Sequence, residues 1–111
     1  MTNPIMRMTN LGPYYNEAEQ RLPFARSEND ALVVQSALGS EATSSEHIVW
    51  LCSVLDSHRR YIKRLLGMGA KLTCTCTMEA GDITLAPNAL TGLHLLGAEL
   101  VITQKQLTSG Q

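Results

Sequence analysis

An α+β fold, a small and mostly antiparallel sheet with helices packed on one face, follows from three patterns in this chain. Thr43 to Gly67 repeats apolar residues at three- and four-residue steps. Lys71 to Met78 changes to strict alternation. Beyond it the order reads strand, helix, strand, which suits helices laid on a sheet.

The helical stretch reads TSSEHIVWLCSVLDSHRRYIKRLLG. Thr43 and Glu46 have the spacing of a capping box, in which each side chain satisfies the other residue's N–H. Glu46 also suits the positive end of the helix dipole, and Lys63 and Arg64 suit its negative end. Gly67 stands where a closing residue is wanted. Ile48, Leu51, Cys52, Leu55, Ile62 and Leu66 make one apolar row, widened by Trp50, Val54, Tyr61 and Leu65. The expectation is one long helix lying across a sheet.

Residues 1–26 read as an N-terminal arm. Ile5 to Thr9 could be a short strand, Gly12-Pro13 marks a turn, and Asn16 to Arg21 offers one or two exposed helical turns. Residues 27–105 read as a single domain and 106–111 as a polar tail. Ser27 to Gly39 admits two readings. Ser27, Asp30 and Gly39 imitate helix ends, with Ala31, Val34 and Leu38 on one face. The run Ala31 to Val34, with its β-branched pair, also suits a buried strand. Helix is favoured over strand here.

In KLTCTCTM, Leu72, Cys74, Cys76 and Met78 point one way and three threonines the other. Glu79 to Asp82 supplies turn chemistry, and Asp82 to Leu85 reads as a strand antiparallel to the first. Pro87 opens a helix to Leu96, closed by Gly97, with Ala89, Leu93 and Leu96 toward the sheet. Gly92 lets backbones approach closely. Glu99 to Thr103 is the last strand, with Leu100 and Ile102 inward. Its open edge could pair two copies as a homodimer.

The chain has 111 residues, nine basic and ten acidic, for a net charge of −1. That is a one-domain length, and the balance lacks the footprint of a nucleic-acid binder. No apolar run reaches the length of a membrane span. The N-terminus lacks the pattern of a secretory signal, and three cysteines argue against a disulfide framework, so a cytoplasmic setting is expected.

Cys74 and Cys76 place two thiols on one strand face, with Cys52 on the helix packed there. Thiolates with His47, His58 or His94 could make a zinc site or a small-molecule face. Their apolar register favours core cysteines, so no metal or other cofactor is expected. His94 reads as a partly buried helix residue. His58-Arg59-Arg60 with Lys63 and Arg64 forms the basic cluster, read as a solvated helix face or as a seat for a protein partner with an acidic surface. Tyr14 and Tyr15 read either as interface anchors or as packing for the N-terminal segment. No catalytic constellation assembles at meaningful spacing, so a non-enzymatic binding domain is expected. The candidate partner-binding residues are Tyr14, Tyr15, Arg60, Lys63 and Arg64.

The C-terminal half, GDITLAPNALTGLHLLGAELVI, resembles the closing strand–helix–strand of the uncharacterised bacterial family known as domain of unknown function 4279. Gly81, Leu85, Pro87, Leu90, Leu93, Leu96-Gly97 and Leu100 to Ile102 carry the resemblance. The preceding helix and strand extend it over residues 45–103. Ala86 stands where such members tend to have a capping serine. The resemblance implies an α+β fold with no established activity, and an immunity-type, toxin-neutralising role as one expectation. It implies no site residues.

Overall fold

In a computed structural model, residues 4–78 and 84–104 are described. They form a five-stranded sheet with four α-helices, an α+β fold. The strands are β1 (Ile5–Thr9), β2 (Arg26–Glu28), β3 (Ala31–Gln35), β4 (Lys71–Met78) and β5 (Glu99–Gln104). The helices are α1 (Tyr15–Arg21), α2 (Ser44–Asp56), α3 (Arg59–Gly67) and α4 (Pro87–Leu96).

Across the sheet the order is β2-β3-β1-β4-β5. The β2–β3, β3–β1 and β1–β4 pairs are antiparallel, and β4–β5 is parallel. Up to β4 the succession is strand, helix, strand, strand, helical pair, strand. This is the split βαβ, ferredoxin-like arrangement. The α4–β5 unit then extends the sheet by a crossover, as a parallel neighbour requires.

One face of the sheet carries Met6, Met8, Leu32, Val34, Leu72, Cys74 and Cys76. These join a single core with Ala18, Ile48, Leu51, Leu55, Ile62, Leu65, Ala89, Leu93 and Leu96 from the helices and Leu22 just after α1. Ala31 and Val33 lie on the opposite face, outside that core, yet are buried. Arg7 and Arg26 flank Val33 in register, and both bond Glu28 at 2.9 and 3.2 Å. Their stems shield the valine while their heads stay wet.

Four sequence expectations change. Ser27 to Gly39 is not a helix: it supplies β2 and β3. Asn29 and Asp30 both have positive φ, 48° and 64°, and join Glu28 to its partner Ala31. Such a two-residue turn closes a hairpin, so the polar pair works as a turn and not as a helix cap. Second, Ile5 to Thr9 is the short strand expected, but it is the middle strand of the sheet, bonded on both sides. Asn10 follows it at φ 59° and donates Nδ2–H to Gly69 O at 2.7 Å, tying the strand end to the turn before β4.

Third, the long helix is two. A straight helix from Ser44 to Gly67 would run about 36 Å. The eight-residue β4, the longest strand, spans only about 26 Å, so the rod must break to stay on the sheet. Fourth, Ile102 is on the core face as expected, in register with Cys76, but it is exposed because β5 is an edge. Of the strand expected at Asp82 to Leu85, Asp82 and Ile83 lie outside the described residues, and Thr84-Leu85 is not strand. The capping box at Thr43 and Glu46 is present, and Gly97 closes α4 at φ 77°. None of the helices among the described residues is long and apolar enough to cross a membrane.

Candidate functional site

The break between α2 and α3 creates a highly charged concavity. Its local chemistry starts at Ser57, whose hydroxyl donates to Val54 O at 3.2 Å. The same Oγ lies 2.9 Å from His58 Nδ1. These side-chain bonds compete with the backbone ladder and favour a helix end there. His58 N donates to Leu55 O, and His58 O accepts from Ile62 N to begin the next helix. Phe24 sets its edge against the His58 ring at a centroid distance of 5.3 Å, fixing the corner.

Beside that corner is a cleft of about 570 Å³. Arg59, Arg60 and Arg64 of α3 line it, together with Arg21 from the end of α1. Asp56 is its only carboxylate. Asp56 pairs with Arg59 at 3.5 Å, in place of the i,i+4 partner Arg60. Arg60 and Arg64 stand one turn apart and have no salt-bridge partner among the described residues. The α3 N-terminus also opens here, and its first N–H groups lack partners within the helix. A chain of net charge −1 thus gathers four of its nine cationic side chains around one hollow.

Tyr61 forms the wall. Its hydroxyl donates to Glu17 at 2.9 Å, and Arg21 stacks over its ring at 4.8 Å. Burial, and then the hydrogen bond to Glu17, push the phenol above its ordinary pKa. The tyrosine therefore clamps α1 to α3 and aims Arg21 into the cleft.

The structure separates the residues expected to bind a partner. Arg60 and Arg64 line the cleft, whereas Lys63 is exposed on α3 outside its lining. Tyr14 is exposed in the turn before α1. Tyr15 packs against the core with its hydroxyl bonded to Ser27 Oγ. His58, read in the sequence as part of the basic cluster, also lines the cleft, whereas Arg21 escaped sequence reasoning. Arg21 comes from a distant helix, and only the Tyr61 contact brings it near; no local pattern marks it.

The thiol face is closed. Cys74 is 0% and Cys76 2% exposed, both inside the core with Cys52. The hydrogen bond to Cys76, and burial, hold Cys74 in its thiol form. Burial, with Asp56 nearby, raises Cys52 to about 11. Those two thiols are poor nucleophiles and poor metal ligands, whereas the hydrogen bond with Cys74 lowers the pKa of Cys76, which burial keeps from solvent. Among the described residues no three His, Cys, Asp or Glu side chains come together to hold a metal. His94, expected to be partly buried, is exposed because it lies away from the α4 packing face.

Comparison with family models, with curated proteins and with solved structures returns no match for this chain. The cleft itself is therefore the source of any functional reading, since a ferredoxin-like arrangement alone carries none.

Proposed function

We propose that the chain is a non-enzymatic protein-binding domain whose arginine-lined cleft receives an acidic patch of its partner. One observation carries the reading: four arginines and a helix N-terminus face the cleft against a single carboxylate. Guanidinium groups grip carboxylates through paired, planar hydrogen bonds, which suits Asp or Glu side chains presented by a protein. Arg60 and Arg64 are the principal contacts, and Arg21, held by Tyr61, is a third.

The test compares the native domain with the double variant Arg60→Glu/Arg64→Glu in affinity capture from native lysate. The expected result is a stoichiometric partner on the native domain that is lost on the variant. Raising salt should weaken the native complex, because rim charges are screened. No stoichiometric partner, or one held equally by the reversed-charge variant, rejects the proposal.

A further inference from the structure

The two edges of the sheet are built differently, and the difference identifies a second surface, independent of the cleft. Strand β2 is three residues long and carries Arg26 and Glu28, whose ion pairs occupy its flank. Short, charged edges resist pairing with another chain. Strand β5 is six residues, ELVITQ, in unbroken parallel register with β4. It has no proline, lysine or bulge, and its only charge is Glu99 at one end. Among the described residues it pairs with β4 alone. Val101 is 42% and Ile102 45% exposed.

Helix α4 adds to this flank. Gly92 presses on Cys52 of α2, and Leu90, two residues away, projects from roughly the opposite side of the helix. Leu90 is 46% exposed. Among the described residues the sheet thus ends in a strand paired on one side only, with an exposed apolar side chain on each face.

We propose that β5 pairs antiparallel with β5 of a second copy of this chain, joining two sheets into one of ten strands. Self-pairing is favoured by the placement of charge. A parallel arrangement in register would set Glu99 against Glu99, whereas an antiparallel one sends the two glutamates to opposite ends. The register centred on Val101 sets Val101 opposite its own copy, Leu100 opposite Ile102, and Glu99 opposite Thr103. Apolar residues then meet apolar residues, and both helical layers stay on one side of the joined sheet. The interface is isologous, as a closed two-fold dimer requires.

Sedimentation equilibrium of the full chain tests this against Val101→Lys, with far-UV circular dichroism and a melting curve confirming that the variant folds. The native chain is expected at twice the chain mass and the variant at one chain mass. A second variant, Val101→Cys, tests the register. Cα atoms of directly opposed residues in an antiparallel pair lie about 4.5–5.5 Å apart, within reach of a disulfide. Mild oxidation should therefore link Val101→Cys chains into dimers, while the native chain, whose cysteines are buried, stays unlinked. A monomeric native chain at high micromolar concentration overturns the proposal. So does a Val101→Lys variant that remains dimeric.

Discussion

Ser36 Oγ lies 2.8 Å from Nδ1 of His47, linking the end of β3 to the first turn of α2. His47 is fully buried, and its Nε2 meets no partner among the described residues. The serine is therefore the polar contact that makes this histidine tolerable in the core. Ser36→Ala should destabilise the domain by about 1–3 kcal/mol, the cost of a second unsatisfied ring nitrogen. Adding His47→Leu removes both buried polar atoms and should recover most of that loss. Urea denaturation of the single and double variants gives the comparison; a double variant weaker than Ser36→Ala contradicts the account.

The helix start at Thr43 makes a separable contribution. Its Oγ1 accepts Glu46 N–H at 3.1 Å, and Glu46 Oε1 accepts Thr43 N–H at 2.8 Å. Thr43→Ala should cost about 1 kcal/mol and Thr43→Ser much less, because serine keeps the acceptor. Thermal melts of the three proteins should rank native, Thr43→Ser, Thr43→Ala.

Alkaline pH should weaken the fold. Burial raises the Cys52 thiol from 9.0 to about 11, and Tyr61 is raised from 10.0 as well. Above pH 9 the unfolded chain loses the Cys52 proton that the folded chain retains. The unfolded state then binds fewer protons, so stability falls with rising pH. The Cys52 contribution is complete below pH 9 and is lost toward pH 11. Denaturation midpoints measured from pH 7 to 11 should decline, and less steeply for Cys52→Ala.

Gly92 is a point of close approach between α2 and α4. A Cβ added there would stand 3.0 Å from Cys52 Sγ and 3.1 Å from Cys52 Cβ. The sulfur can rotate aside, but the Cβ is fixed to its helix. Gly92→Val should therefore destabilise by about 1–3 kcal/mol through overpacking. Gly67→Val, where an added Cβ meets nothing within 4 Å, is the control for a larger side chain at a helix glycine. Equal losses at the two positions would refute close packing as the cause.

Features written within a few consecutive residues were legible in the sequence. The capping box, the alternation of Leu72, Cys74 and Cys76, the Pro87 start and the Gly97 stop all depend on neighbours along the chain. The basic helix face was legible for the same reason. Arg21 was not, because the Tyr61 ring that aims it belongs to another helix.

The sequence by itself determined which faces are apolar, where α2 begins and where α4 begins and ends, and that helices and strands share one layered domain. Periodicity and caps are short-range, so they survive without knowledge of the fold. Only the tertiary structure decided that Ile5 to Thr9 is the central strand, that Ala31 to Val34 is extended, and that the long helix breaks at Ser57-His58. Each of these is a long-range outcome. Hydrogen bonds to distant strands, burial on both sheet faces, and the limited span of the sheet outweigh local preferences that point elsewhere.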